Sequence, residues 1–154
     1  MLQGVDEMTN IEEQLDKRGF LCYTNKGVSM MPLLRQDKDV MVIYKQVEDF
    51  KKNDAVLFKR ANGQYVLHRI TKVLSDGHFY IVGDNCIRGE VVPQAQILGV
   101  LKEVKRGKKV VSVDDFWYKV YVFFVPAHRL CLRVRQPCRR VLAKVYRKFF
   151  PRKD

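Results

Sequence analysis

The sequence has no long uncharged run. Its longest segment without a charged residue extends from Val91 to Leu101 and is interrupted by Pro93, Gln94 and Gln96. A helix that crosses a membrane needs about 20 mostly apolar residues, so no membrane-spanning helix is expected. The acidic N-terminal segment, residues 1–15, has no apolar core, and we therefore expect no secretory signal peptide there.

Cysteine is scarce as well, and its spacing carries no metal motif. The four cysteines, Cys22, Cys86, Cys131 and Cys138, include no CxxC pair and no Cys/His quartet with the spacing of a zinc site. We therefore expect neither a metal nor another cofactor. Scattered thiols in a chain without a signal peptide indicate reduced cysteines and a cytoplasmic protein.

Acidic residues are nearly missing from the C-terminal part of the chain. The whole sequence carries 29 Lys and Arg against 17 Asp and Glu, a formal charge of +12. Residues 128–154 hold ten of the basic residues and one acid, Asp154, so +9 of that charge lies there. Such a charge suits an anionic membrane surface or a nucleic acid.

Most of the chain has the pattern of short strands separated by turns. Before them, the capping-box sequence at Thr9 to Glu12 predicts a helix over about 10–18, with Gly19 as its stop. The apolar runs then predict strands over 40–44, 55–58, 65–70, 78–82 and 97–104, the last ended by a basic turn at 105–108. This pattern predicts a mainly β protein with a curled antiparallel sheet or partial barrel.

The last part of the chain is aromatic and then helical. Residues 116–125 are rich in aromatics, and Pro126 is predicted to close this segment. From Leu130 to Phe149 apolar residues recur at helical spacing, and Pro137 predicts a kink or two helices. We therefore divide the chain into an N-terminal helix (1–19), a β domain (20–110) and an amphipathic helical tail (111–154).

The basic tail from Arg129 to Lys153 has three interpretations. It is a solvated charged face, or it packs on the domain, or it lies on an anionic membrane surface with its apolar side in the acyl boundary. The third interpretation places the protein on the inner face of the membrane as a peripheral protein. A nucleic-acid partner is not expected, because a DNA-binding helix rarely has so continuous an apolar stripe.

Three places in the β region carry groups that suit catalysis. Ser29 lies in a loop between Gly27 and Pro32, which is either a simple turn or an exposed nucleophile. Strand alternation puts His68 on one face with Val66 and Ile70, where it is either a core histidine or a general base. Asp84 follows a glycine in a predicted turn, with Glu90 six residues later, and either carboxylate is able to orient an imidazole.

The order and the spacing of these segments resemble those of the superfamily of signal peptidase I and LexA-like serine peptidases. The similarity is closest to the branch that uses histidine, as in endoplasmic-reticulum and archaeal-type signal peptidases. The matching segments are 27–34 (GVSMMPLL) for the nucleophile, 39–42 and 53–59 for two strands, 67–70 (LHRI) for the base and 82–85 (VGDN) for the Gly-Asp box. They cover about residues 20–106.

The resemblance implies a serine endopeptidase that cleaves a peptide or protein precursor at a small residue through an acyl-enzyme. Ser29 would be the nucleophile and His68 the general base. Asp84 matches the carboxylate of the Gly-Asp box, and Glu90 occupies the position of an acidic residue found in the histidine branch. Asp84 is the first choice for orienting His68 and Glu90 the second. The resemblance also assigns the oxyanion and substrate contacts to Gly27, Met30 and Pro32.

Three departures from the family pattern keep other functions open. Many signal peptidases have a serine where this chain has Gly27, Glu90 replaces the usual aspartate, and the membrane anchor is missing. One alternative is a catalytically silent member of the same fold that binds peptides or membranes. Another is a self-cleaving regulator of the repressor type, although the 28 residues before Ser29 are too few for a DNA-binding domain.

Overall fold

The computed structural model describes the backbone of residues 11–46 and 48–149 and the side chains of 11–46 and 48–135. The first element is helix α1, Ile11–Arg18, which confirms the predicted N-terminal helix. Its apolar residues Ile11 and Leu15 are buried against the sheet. Gly19 ends the helix with a φ of 72°, a value that glycine adopts without steric cost. The predicted cap at Thr9 and Asn10 lies outside the described residues.

The next part of the chain is one antiparallel sheet of eight strands. The strands are β1 Phe20–Thr24, β2 Val40–Lys45, β3 Ala55–Lys59, β4 Tyr65–Val73, β5 His78–Val82, β6 Glu90–Pro93, β7 Ile97–Arg106 and β8 Lys109–Ser112. Their order is β1-β2-β7-β3-β4-β5-β6, and β8 pairs with the far end of β7. The ends of this order, β1 and β6, do not pair with each other, so the sheet is open.

The mainly β prediction is therefore confirmed, with errors at the strand ends. All five predicted strands are present, but β1, β6 and β8 had no strand prediction. The prediction that a turn at 105–108 ends the sheet was wrong: β7 continues to Arg106, and Gly107 (φ 59°) turns the chain into β8. Strand β8 also crosses the predicted domain boundary at residue 110.

The two faces of the sheet carry separate apolar cores, because neighbouring residues of a strand point to opposite sides. On β3, Val56 and Phe58 pack in one core, together with Ile70 and Val66 of β4. Ala55 and Leu57 of β3 pack in the other core, together with Leu67 of β4, the helix α1 and Tyr118. Residues 67–70 are buried in succession, since the middle of β4 is covered on both faces.

The C-terminal element is one long helix, α2, Phe116–Phe149. The prediction that Pro126 closes the aromatic segment was wrong, and of the two alternatives at Pro137, a kink or two helices, the second is also wrong. Proline removes one helical hydrogen bond and crowds the preceding turn, but its fixed φ is compatible with a helix, and α2 continues through both. None of the helices in the described part of the chain combines the length and apolarity needed to cross a bilayer.

Candidate active site

The loop that carries Ser29, residues 25–39, connects β1 to β2 and is tied together at its two ends. The backbone N–H of Asn25 donates to the backbone carbonyl of Asp39 (3.2 Å), and the backbone N–H of Asp37 donates to the backbone carbonyl of Asn25 (2.7 Å). The Asn25 side chain also donates to the carbonyl of Gly27 at 2.6 Å. These bonds fix the path of the backbone immediately before Ser29, which is half-buried.

The fully buried Asp39 attaches the end of this loop to strand β7. Arg35 Nη2 lies 2.8 Å from one carboxylate oxygen of Asp39, and Arg106 Nη2 lies 3.0 Å from the other. Burial alone would raise the pKa of Asp39, but the hydrogen bonds from Arg35 and Arg106 outweigh it and hold the pKa below its usual range. Asp39 is therefore ionised at neutral pH and holds the nucleophile loop against the sheet.

The resemblance also assigned three loop residues to oxyanion or substrate contacts, and the structure places them differently. Gly27 and Pro32 are exposed beside Ser29. The Met30 side chain is buried in the core with Leu33 and Leu34, so it anchors the loop and does not face a substrate. A contact from Met30 to substrate is therefore limited to its backbone.

His68 and the Ser29 loop meet at Gly83. A Cβ atom built on Gly83 would lie 3.0 Å from His68 Nε2, 2.7 Å from the Ser29 carbonyl oxygen and 2.8 Å from Cys86 Sγ. The Asn85 amide also donates to that Ser29 carbonyl (2.8 Å), and its side chain donates to the Val28 carbonyl (3.1 Å). The turn after β5 thus holds the Ser29 loop on the side of the imidazole, and both lie beside space that only glycine leaves open.

Glu90 is the carboxylate nearest to His68. Its Oε1 lies 3.8 Å from His68 Nδ1, which is buried and has no hydrogen-bond partner among the described residues. The same carboxylate accepts two hydrogen bonds from Arg60, at 2.9 and 2.5 Å. Glu90 thus faces Nδ1 of the imidazole, which is the side that an orienting carboxylate occupies.

Burial determines the charge of His68 in this arrangement. It lowers the pKa of His68 to about 4, although the nearby negative charge of Glu90 acts in the opposite direction. The imidazole is therefore neutral at neutral pH, with one ring nitrogen available as a base.

Asp84 does not face His68 but forms a buried ion pair with Arg69. Its two oxygens lie 2.8 and 2.6 Å from Arg69 Nε and Nη2, and the two side chains are 0% and 1% exposed. Helix α2 completes the cluster, because Tyr121 donates its hydroxyl proton to Asp84 (2.8 Å) and Arg129 Nη2 lies 3.2 Å from it. The structure thus favours Glu90, the second choice, over Asp84 as the partner of His68.

The strand register explains why the two carboxylates separate. Arg69 pairs with Val82, so Asp84, two residues further on, stays on the Arg69 side of the sheet. Ile70 pairs with Ile81, and Ile81 pairs with Glu90, which puts Glu90 on the opposite side with His68. Paired residues share a face of the sheet and neighbouring residues alternate between faces. Within the Gly-Asp box, Gly83 therefore lies on the side of His68, and the Asp84 carboxylate lies on the side of Arg69.

Three residues of this arrangement had no role in the sequence analysis, namely Arg60, Arg69 and Tyr121, and a fourth, Arg129, was named only as part of the basic tail. Arg69 was quoted only as part of the histidine segment, and alternation along β4 was the one signal that placed it opposite His68. Arg129 belongs to the basic tail, for which three interpretations were open; it is directed inward and donates to the Val82 carbonyl (3.0 Å) as well as to Asp84, which at this position is the packing on the domain. Contacts of this kind depend on α2 packing, which local patterns do not predict.

The site contains acid–base groups and no evident metal centre. Among the residues that the structure describes, no group of three or more His, Cys, Asp or Glu side chains is arranged to hold a metal ion. A comparison with protein-family models finds no match for this chain, and none of the curated proteins matches it significantly.

The contacts of Gly83 leave no room for a side chain. We expect Gly83→Ala to destabilise the fold by about 1–3 kcal/mol, because its Cβ would collide with the Ser29 carbonyl and Cys86. Urea unfolding measures this effect. Gly27→Ala is the matched control, since a Cβ there has its nearest neighbour, Ser29 Oγ, at 4.0 Å. Equal effects of the two changes would contradict this account of Gly83.

Proposed function

We propose that this protein is a serine endopeptidase of the signal-peptidase-like type, which cleaves a peptide or protein precursor next to a small residue. One observation carries the proposal: the Ser29 loop and His68 Nε2 converge on Gly83, while the other ring nitrogen of His68 faces Glu90. This supports the order of serine nucleophile, histidine base and orienting carboxylate, which is the order that acyl transfer requires.

The proposed reaction proceeds in two half-reactions. Ser29 Oγ attacks the scissile carbonyl carbon while His68 Nε2 accepts the hydroxyl proton, and that proton then passes to the leaving amine as the C–N bond breaks. A water molecule, deprotonated by the same nitrogen, then hydrolyses the acyl-enzyme ester and releases the new carboxyl group and the serine. The oxyanion would be stabilised by backbone N–H groups of the loop, because Gly27 has no side-chain donor.

The environment of His68 keeps the imidazole unprotonated at neutral pH, which is the form that a base needs, and its low pKa also makes it a weaker base than a free histidine. An imidazole with a lowered pKa is unprotonated and ready to accept the serine proton. The imidazolium that forms during attack would be stabilised by the negative charge of Glu90. Arg60, which binds the same carboxylate, acts as a positioning residue that fixes where Glu90 stands.

The pH dependence tests this assignment. We expect kcat/KM to be constant from about pH 7 to about pH 5 and to fall as the pH drops through about 4, where His68 becomes protonated. The positive charge of Arg60 lowers the pKa of His68, so Arg60→Gln should raise that pKa and move the acidic limb of the profile to higher pH. NMR titration of His68 measures the pKa directly. Lys51→Gln, an exposed charge change elsewhere, is the control, and an unmoved His68 pKa in Arg60→Gln would contradict the positioning role.

A mass-spectrometric cleavage assay tests the activity itself. A pool of peptides with small residues at varied positions is incubated with the protein, and the products define which bond is cut. We expect cleavage on the carboxyl side of a small residue. Products with no preference for small residues, or products unchanged when Ser29 is replaced, would contradict the proposal.

A catalytically silent binding protein is the second candidate function. Two observations favour it. Gly27 lacks the hydroxyl that many signal peptidases use. The Glu90 carboxylate is bound to Arg60 and lies 3.8 Å from His68, too far for a hydrogen bond. This candidate predicts that a peptide binds without being cut and that Ser29→Ala leaves its affinity unchanged. Binding followed by fluorescence polarisation, beside the cleavage assay, separates the two functions.

A further inference from the structure

Helix α2 has apolar residues on two opposite faces. Tyr118 and Val125 are buried on the sheet, and Tyr121 and Val122 pack beside them. The opposite face exposes six large apolar side chains, each between 58% and 78% accessible: Phe116, Trp117, Phe123, Phe124, Leu130 and Val134. With 3.6 residues per turn, these six form a continuous stripe, which we call the outer stripe.

An exposed stripe of this size indicates an interaction surface. Single exposed apolar residues are ordinary on protein surfaces, but contiguous apolar patches mark membrane or protein contacts. The rings of Phe116 and Trp117 pack edge to face, as do those of Phe123 and Phe124, so the aromatic part of the stripe forms two compact pairs. Neither pair is needed to hold α2 on the sheet, because the packing is made by the opposite face.

The charge around the outer stripe indicates which kind of partner contacts it. From Phe116 to Lys153 the sequence contains no acidic residue, and Lys119, Arg133 and Arg135 are exposed beside the stripe. A second copy of the chain would bring like charges together at this face. A nucleic acid would attract the cations but would leave the phenylalanines and the tryptophan in water. An anionic lipid surface matches both features, since acyl chains accept the rings and headgroups attract the cations.

We propose that the outer stripe of α2 lies in the surface of an anionic phospholipid bilayer. The helix is parallel to that surface, with the β domain on the side that faces away from the lipid. The sequence continues the same spacing of apolar residues through Cys138, Val141, Val145 and Phe149. Arg129, which the sequence analysis counted among the lipid-binding cations, is excluded because it binds Asp84 on the opposite face. The proposal does not depend on the peptidase function.

Trp117, the only tryptophan in the chain, is a built-in probe of this contact. The full-length protein is titrated with vesicles of phosphatidylglycerol and phosphatidylcholine in a 3:7 ratio, and with vesicles of pure phosphatidylcholine. We expect a blue shift of Trp117 emission with the anionic vesicles, at least tenfold weaker binding to the neutral ones, and loss of binding as salt rises. Quenching by brominated acyl chains should show that the indole enters the acyl boundary.

Matched variants make the test specific. Phe123→Ser combined with Phe124→Ser should weaken vesicle binding at least tenfold, whereas Phe20→Ser, which removes an exposed ring from β1, should not. Thermal unfolding checks that the variants are folded, and the wild-type quenching measurement needs no variant at all. Equal binding to neutral vesicles, an unshifted tryptophan, or a dimer that dissociates in the Phe123/Phe124 variant without lipid would overturn the proposal.

Discussion

Replacing Ser29 with alanine is expected to reduce peptide cleavage by about 10⁴- to 10⁶-fold, because the acyl-enzyme cannot form without the hydroxyl. The change removes one oxygen from a half-buried loop position, so the backbone contacts that hold the loop should persist. The free energy of unfolding should therefore stay within about 1 kcal/mol of the wild-type value. Mass spectrometry of peptide products and urea unfolding measure the two quantities on the same preparation.

The control for this prediction is Ser75→Ala, a serine in the exposed turn between β4 and β5. It should keep both activity and stability. Cleavage that survives in Ser29→Ala at more than a tenth of the wild-type rate would show that another group is the nucleophile. Loss of cleavage together with loss of folding would instead assign Ser29 a structural role.

Replacing Asp84 with alanine is expected to destabilise the protein by about 3–5 kcal/mol, because it leaves the guanidinium of Arg69 buried without its partner. Tyr121 would lose a hydrogen-bond acceptor and Arg129 an ion-pair partner in the same step. Since these two side chains attach α2 to the end of β5, the helix should become more accessible to proteases. Urea unfolding gives the free energy, and limited proteolysis reports the helix.

Asp76→Ala is the matched control for Asp84→Ala. Asp76 is an exposed aspartate whose only ion pair in the described residues is with His78, and such surface pairs contribute about 0–1 kcal/mol. A second comparison combines Asp84→Leu with Arg69→Met, which removes both charges and should recover part of the lost stability. A cost below about 1 kcal/mol for Asp84→Ala would contradict the buried cluster.

Local sequence patterns predicted much of this architecture, because strands and turns depend on residues that are close to one another in the chain. The predicted strand over 65–70 and the alternation of Val66, His68 and Ile70 were sufficient to put the histidine on one face of a sheet. The resemblance also selected Ser29, His68 and Glu90: the Ser29 carbonyl and the His68 ring lie beside Gly83, and Glu90 lies 3.8 Å from His68.

Local sequence patterns could not predict which carboxylate faces His68, nor which side chains bind Asp84. The choice between Asp84 and Glu90 depends on which side of the sheet each occupies, and this follows from the pairing of β4, β5 and β6. The strand β6 had no prediction, so that register was unknown. Tyr121 and Arg129 reach Asp84 from a helix far along the chain, and the sequence of α2 shows two apolar faces without indicating which one packs inward.

The contacts that hold the Ser29 loop determine which of its positions can be substituted. Its ends bind each other through Asn25 and Asp39, and its middle is anchored in the core by Met30, while β7 and the turn after β5 hold it from outside. The side chains of Val28 and Met31 are exposed and take no part in these contacts, so substitutions there should leave the position of the serine unchanged. A surface of different shape or polarity can therefore be built at these two positions on an unchanged framework.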